Sequence, residues 1–179
     1  MGAEIQAATL SDAEEIARIH VDTWRAAYRG IVSEEYLAGL SYAESQEMWR
    51  RIMGGEQAAC VFVAEEGGTL FGFSSGRART RFSQGLPEYK GVLETLYVLP
   101  SRQGEGIGRR LVGAIAGRLA EIGVPSMLLW VLAENKTARR FYESLGGTLL
   151  GEGSFELGGT ELSEVAYGWK DLSVLRVDD

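Results

Sequence analysis

The sequence predicts an α/β (α+β) fold in which helices lie on the faces of a mixed sheet. Two long segments repeat apolar residues every three to four positions, around Ile16–Trp24 and Leu111–Ile122, which is the helical period. Between and beyond them lie apolar runs of strand length, such as Cys60–Ala64 and Ser126–Ala133. Glycines or a proline close nearly every run. Interleaved helices and strands without a linker or an internal repeat predict one domain over residues 1–179.

Taken in order, Glu4–Thr9 reads as a first strand. Ser11, followed three residues later by Glu14, has the spacing of a capping box and predicts a helix start. Ile16, Ile19, His20, Trp24 and Ala27 give this helix one apolar face, and Gly30 ends it. A second helical stretch, in one or two pieces, runs from Ser33 to Met53 with Tyr36, Leu37, Leu40, Met48, Trp49 and Ile52 as its stripe. Gly54-Gly55 stops it. Ala59–Glu65 and Thr69–Arg77 flank Gly67-Gly68 as a hairpin. Residues 79–90, with Gly85 and Pro87, read as a loop, and Gly91–Leu99 as a strand closed by Pro100. The helix carrying Leu111, Val112, Ile115, Ala116, Leu119 and Ile122 ends at Gly123, just ahead of Pro125. Ser126–Ala133 is apolar throughout, which predicts a central strand buried on both faces. Asn135 caps a helix with Ala138, Phe141, Tyr142 and Leu145 on one side, and Gly146-Gly147 stops it. Thr148–Gly151 and Leu162–Lys170 are the last strands, with turns around Gly153, Gly158 and Gly159 between them.

Composition narrows the function. The chain is 45% apolar and 24% charged, enough to bury one sizeable core. A net charge of -7 and a pI near 4.9 argue against nucleic acid as a partner, because neutralising phosphates needs a basic face. The most basic stretch, Arg77-Ala78-Arg79-Thr80-Arg81, reads as a solvated loop. Cys60 is a lone cysteine in an apolar run and His20 a lone histidine on an apolar helix face, so no metal site is expected. The opening MGAEIQAATL lacks a basic segment followed by an apolar one, and no run of about 18 apolar residues occurs. A cytoplasmic protein without membrane contact is the expectation.

The stretch that carries chemistry runs from Leu96 through a glycine turn to Arg110. Gly104, Gly106 and Gly108 leave backbone N–H groups uncovered, and the start of the following helix adds partial positive charge, so a diphosphate can be cradled there. Arg102, Arg109 and Arg110 stand within reach of phosphates, or are plain surface charge. A connection that only turns the chain is the other reading of the glycines. No GK[ST] follows them, and Arg109 stands where a dinucleotide fingerprint needs its third glycine, so neither ATP nor NAD fits.

The segment Gln103-Gly104-Glu105-Gly106-Ile107-Gly108 resembles the [QR]-x-x-G-x-[GA] signature of the GNAT acetyltransferase family. Three more stretches resemble that family in order: Leu96-Tyr97-Val98-Leu99-Pro100, then Asn135, Ala138, Phe141, Tyr142 and Gly146 of an N-x-x-A-x-x-F-Y-x-x-x-G pattern, then Val165-Ala166-Tyr167-Gly168-Trp169. The resemblance spans nearly the whole chain and implies a mostly antiparallel sheet of six or seven strands, helices on both faces and one splayed parallel pair. It implies transfer of an acetyl group from acetyl-CoA, without a metal, to a primary amine of a small molecule, amino acid or peptide. Dimers are common in the family, so a homodimer is a further expectation.

Residue by residue, the resemblance implies that main-chain groups of Tyr97 and Val98 hold the pantetheine arm. The N–H of Leu96 or Val98 would polarise the thioester oxygen, and the amides of Gln103, Gly104, Glu105, Gly106, Ile107, Gly108 and Arg109 would cradle the diphosphate. Asn135 matches a pantetheine contact, a role compatible with capping its helix. Tyr142 matches the tyrosine that protonates the departing thiolate, and a phenol, with a pKa of about 10, suits that task; a core aromatic is its other reading. Glu94 is the candidate general base, expected on the same strand face as Val98. Family members that use a glutamate base place it nearer Val92, so binding the substrate or simple solvation stand beside that role. Glu105 between the glycines is expected to point to solvent. Trp24, Tyr28, Tyr36 and Glu156 are candidate walls of the acceptor site, with Tyr28 chosen among them. A rival function is an acyl-CoA sensor of the same fold that catalyses nothing, and another is a nucleotide-binding α/β protein.

Overall fold

A computed structural model describes residues 2–55, 59–79 and 85–176. The chain runs β1 (Glu4–Ala7), α1 (Ala13–Ala27), α2 (Glu34–Gly39), α3 (Tyr42–Gly54), β2 (Cys60–Glu66), β3 (Thr69–Ala78) and β4 (Gly91–Val98). It continues through α4 (Ile107–Glu121), β5 (Met127–Leu132), α5 (Lys136–Ser144), β6 (Thr148–Leu157) and β7 (Thr160–Trp169). The strands form one seven-stranded sheet in the order β1-β2-β3-β4-β5-β7-β6. Every neighbour is antiparallel except β4 and β5, which run parallel. Among the described residues no helix is long and apolar enough to cross a membrane.

Helices cover both faces of the sheet. Leu111, Val112, Ile115, Ala116 and Leu119 of α4 fall on one stripe and are fully buried, most of them against Leu93, Met127, Leu129 and Val131. Each such side chain contributes about 1.5–3 kcal/mol when taken out of water, so this stripe pins α4 to both strands of the parallel pair. On the opposite face Ile16 and Ile19 of α1 and Trp49 of α3 pack on Val61, Val63 and Phe73. A third cluster, with Val32, Leu37, Leu132 and Leu162 at its heart, joins α2 and the segment before it to β5 and β7.

Several sequence expectations move. The capping box forms one turn earlier than Ser11 and Glu14: Thr9 and Asp12 cap each other around a 3-10 turn that leads into α1, with Thr9 N–H donating to Asp12 Oδ2 at 2.7 Å. Asp12 takes that part because it stands three residues after Thr9. The second helical stretch is two helices, each started by a serine, Ser33 and Ser41, whose hydroxyl accepts from the backbone three residues on. Met48 falls on the outer side of α3 and is exposed, while Trp49 is buried. β5 is not buried on both faces throughout, because Trp130 is 42% exposed. β6 extends through Gly153 to Leu157, leaving only Gly158 and Gly159 as the turn, both at positive φ. The basic stretch is no free loop: Arg77 lies in β3, and Arg79 donates to the carbonyls of Gly85, Leu86 and Tyr89. Thr80 and Arg81 lie outside the described residues.

His20 sits where α1 crosses α3. Its Nδ1 accepts from Trp49 Nε1 at 3.3 Å and lies 3.1 Å from the Ser45 hydroxyl, and its ring stacks on Tyr97 at 5.5 Å. Burial lowers its pKa from 6.5 to about 4, and protonating Nδ1 would set a donor against the indole N–H. The unfolded chain takes up a proton near pH 6.5 while the folded chain resists until about pH 4. Stability therefore falls as pH drops through that window, by about 1–3 kcal/mol. Urea denaturation at pH 7.5 and 4.5 should show His20→Gln losing less stability than the wild type, by about this margin; equal losses would remove His20 as the cause.

Candidate active site

The site begins where two strands part. β4 and β5 pair only at Gly91↔Met127 and Val92↔Leu128, then separate. The near end is pinned: Gly91 N–H donates to Ser126 O at 2.8 Å and Lys90 N–H to Ser126 Oγ at 3.0 Å. Only glycine fits at position 91, since a Cβ there would lie 2.8 Å from Leu119 and 3.0 Å from the Ser126 carbonyl. Beyond the pin, a bulge breaks the β3–β4 register between Thr95 and Leu93, leaving Glu94 without a partner on β3 and bending β4 away. β5 is meanwhile held by β7 along its other edge from Met127 to Leu132. The result is a cleft of about 900 Å³ lined from α1, β4, α4, β5 and α5, with Phe155, Leu157 and Glu164 from the last two strands.

Backbone groups along this cleft are free to bind. Leu99 N–H donates to Phe71 O at 2.8 Å, so the alternation of an antiparallel pair turns Tyr97 toward β3 and the N–H groups of Val98 and Leu96 toward the gap. Of the two backbones expected to hold a ligand, that of Tyr97 is therefore committed to Phe73, and that of Val98 faces the opening. Gln103 reaches back with its side-chain amide to Val98 O at 2.9 Å. Past Gln103, Gly104 and Gly106 adopt φ of 84° and 78°, and the first helical bond of α4 is Arg110 N–H to Gly106 O. No described residue accepts from the amides of Gly104, Glu105, Gly106, Ile107, Gly108 or Arg109, so a row of donors and the positive end of a 15-residue helix face the cleft mouth. Gly108 lets α4 meet α5, because a Cβ there would lie 3.2 Å from the Phe141 ring.

Of the three arginines within reach of phosphates, two have other duties. Arg102 bridges Glu66 and Glu105, each at 3.0 Å, and stacks over Phe71 at 4.1 Å. Arg110 donates to Ala3 O at 2.6 Å, tying the first strand to α4. Arg109 alone of the three makes no such contact, and it lines the cleft. Glu105, expected in open solvent, is exposed but ion-paired to Arg102.

Deeper in, Tyr142 of α5 is buried, lines the cleft, and has no hydrogen bond from its hydroxyl to a described residue. Burial, with Tyr28 nearby, pushes its phenol far above the ordinary value of 10. Across from it Trp24 Nε1 donates to the Tyr97 hydroxyl at 2.8 Å, and the Tyr28 ring meets Trp24 edge-on at 4.7 Å. Burial raises both Tyr28 and Tyr97, keeping both hydroxyls protonated. Asn135 caps α5 by accepting from Ala138 N–H at 3.1 Å and lines the same cleft.

Glu94 lines the cleft too, but not on the face expected. The bulge interrupts alternation: Val98 packs with Ile107 and Leu111 under α4, whereas Glu94 pairs with Arg77 at 2.9 Å on the α1 side. Glu156 is exposed and points away, while its neighbours Phe155 and Leu157 line the opening; Tyr36 packs against Trp24 and Gly158 behind the wall. Trp130, Phe155 and Glu164 are the residues the sequence reading passed over. Their only signal is placement on one sheet face, which needs the register of β6 to be known. Among the described residues no group of three or more His, Cys, Asp or Glu could hold a metal ion.

A mixed sheet opened between two parallel strands, with a glycine turn and a bare helix start at its mouth, defines a site for a long ligand that carries phosphate. The profile of the Acetyltransferase (GNAT) family matches residues 14–147. Over 174 residues the chain is 37% identical to the uncharacterized N-acetyltransferase YuaI of Bacillus subtilis (strain 168), covering 96% of this chain and 95% of that protein. Among solved structures, the PaiA N-acetyltransferase of Thermoplasma acidophilum in complex with coenzyme A superposes with a TM-score of 0.70 at 22% identity, covering 92% of this chain and 98% of that one. The phosphinothricin acetyltransferase of Sinorhizobium meliloti in complex with acetyl-CoA gives 0.69 at 21% identity, covering 94% and 88%. The chain belongs to the GNAT acetyltransferase family. The close contact of α4 with α5 makes one prediction: Gly108→Val should overpack the Phe141 ring and cost about 1–3 kcal/mol in a denaturant melt. An unchanged midpoint would mean that the two helices do not meet there.

Proposed function

We propose that this acetyltransferase moves an acetyl group from acetyl-CoA to a primary amine by direct attack, with Tyr142 as general acid. The observation that carries the reading is the run of unpaired amides from Leu96 and Val98 on β4 to the glycine turn, facing one cleft with the Tyr142 hydroxyl. A linear ligand with a diphosphate at one end and acceptor groups along an arm fits such a run. The coenzyme supplies an acetyl thioester, whose carbonyl carbon a neutral amine can attack.

The chain's own groups then divide the work. Amides of Gly104 through Arg109 take the diphosphate, with the Arg109 side chain beside them. Leu96 or Val98 N–H donates to the thioester oxygen, a contact worth roughly 3 kcal/mol in comparable acyl transfers. The side-chain amide of Asn135 meets the pantetheine arm. Glu94, or a water, takes the proton that the attacking ammonium must lose. A C–N bond forms and the C–S bond breaks, and Tyr142 donates to the sulfur as charge gathers there. Because burial holds the phenol above its ordinary pKa, it stays protonated through neutral pH and its main service is that hydrogen bond. Tyr28 forms part of the acceptor wall.

Tyr142→Phe should lower kcat by about 10²-fold while the Kd for acetyl-CoA stays within a few-fold, since only the departing sulfur loses its partner. Unchanged turnover across the pH range would remove Tyr142 as the acid. Gly106→Asp, at a φ of 78° that aspartate tolerates better than most side chains, sets a negative charge among the amides where a diphosphate must sit. Calorimetric titration with acetyl-CoA should show binding lost, and a wild-type titration would contradict the cradle.

A further inference from the structure

The acceptor side of the cleft carries a second carboxylate, and it differs from Glu94 in one respect. Glu94 has its charge met by Arg77 at 2.9 Å. Glu164, on β7, makes no ion pair or hydrogen bond from its carboxylate to a described residue, and it lines the cleft half-buried. Partial burial holds its carboxyl above the usual value, as expected for a charge without a partner.

Its position along the sheet is set by register. The bulge at Glu94 adds one residue to β4, so Tyr97 on β4 and Leu132 on β5 stand equally far along from the Gly91↔Met127 pair, and Leu132 pairs with Glu164. Glu164 is therefore level with the stretch of β4 between the Leu96 and Val98 amides. Cross-strand partners share a face, so Trp130 opposite Ala166, Gly153 opposite Glu164 and Phe155 opposite Leu162 all lie on Glu164's side. Gly153 forms the floor: a Cβ there would lie 3.2 Å from the Trp130 ring and 3.5 Å from Glu164 Oε1. Trp130 and Phe155 are 42% and 37% exposed, large aromatic surfaces left open beside an unpaired carboxylate. Among the described residues that line the cleft the cations are Arg102 and Arg109, both at the glycine turn.

Resting on the acetyl transfer proposed above, we infer that Glu164 holds the ammonium of the acceptor while Trp130 and Phe155 grip an apolar or aromatic group beside it, so that the preferred acceptor is a primary amine with no carboxylate next to the nitrogen. An α-amino acid entering the same place would set its carboxylate against Glu164, and the cations lining the cleft stand away at the glycine turn while Arg77 is held by Glu94. The ammonium gains a charge-assisted hydrogen bond and a cation–π contact in one pocket. Glu164 is within the reach of the amine at the level where β4 presents its amides, so holding the nitrogen also aims it.

The test uses the purified full chain with acetyl-CoA, follows thiol release, and compares 2-phenylethylamine, phenylalanine amide and phenylalanine. Both carboxylate-free amines should exceed phenylalanine in kcat/KM by at least about tenfold. Glu164→Gln should raise KM for 2-phenylethylamine by at least about tenfold while kcat changes less than about threefold and the calorimetric Kd for acetyl-CoA is kept. Trp130→Ala should raise KM for 2-phenylethylamine but not for ethylamine, which has no ring to stack. Preference for phenylalanine, or an unmoved KM in Glu164→Gln while the wild type turns over amines, overturns this inference alone. Acetyl-CoA binding with transfer to no amine at all overturns it together with the proposed function.

Discussion

Every feature of the site follows from the failure of β4 and β5 to stay paired. A parallel pair that ran its full length would satisfy its own amides and leave no room for a ligand. Here two residue pairs close the near end, held by Ser126 and by the absence of a side chain at Gly91, and the strands then diverge. Unmet backbone donors buried away from water cost about 1–3 kcal/mol each, so the parting is tolerable only because the gap is open and can be filled. The bulge at Glu94 bends β4 on one side, and β7 holds β5 straight on the other.

This geometry gives the cleft two sides, one from each face of the sheet, which the proposed reaction assigns to two partners. α4 and α5 meet over Gly108 and bring the glycine turn, Asn135 and Tyr142 to the coenzyme side. α1 brings Trp24 and Tyr28 to the other side, where β5, β6 and β7 add Trp130, Phe155 and Glu164. The Trp24–Tyr97 hydrogen bond, with Tyr28 edge-on against Trp24, spans the join and fixes α1 against β4. His20, stacked on Tyr97 and bonded to Trp49, extends the same rigid cluster into the core between α1 and α3. This wall of the cleft is thus built on packed elements, which suits the acceptor site proposed for it.

Much of this was legible in the chain itself. Helical and strand periods placed almost every element, because α4 and α1 carry long apolar stripes and glycines end the runs. The glycine turn, Asn135 and Tyr142, which line one cleft, could be picked out because they lie in contiguous patterns. What failed was non-local. The cap of α1 went to Thr9 and Asp12 since a 3-10 turn intervenes, and nothing in the letters distinguishes that from Ser11 and Glu14. The face of Glu94 was mistaken because alternation assumes an unbroken strand and the bulge flips it. β6 was cut short at Gly151, as Gly153 looks like a turn residue when its real office is to make space for Trp130 and Glu164. That error hid the acceptor wall, since Phe155 and Glu164 share a face only once β6 and β7 are paired.

The central claim is that the parted edge of β4 and the turn after it grip the coenzyme with main-chain amides. Amide hydrogen exchange, read residue by residue with and without CoA, tests it most directly. The account predicts that Leu96, Val98 and the amides from Gly104 to Arg109 exchange freely in the unliganded protein and become protected together on binding. Protection confined to other segments, with these amides still exchanging in a saturated complex, would contradict it.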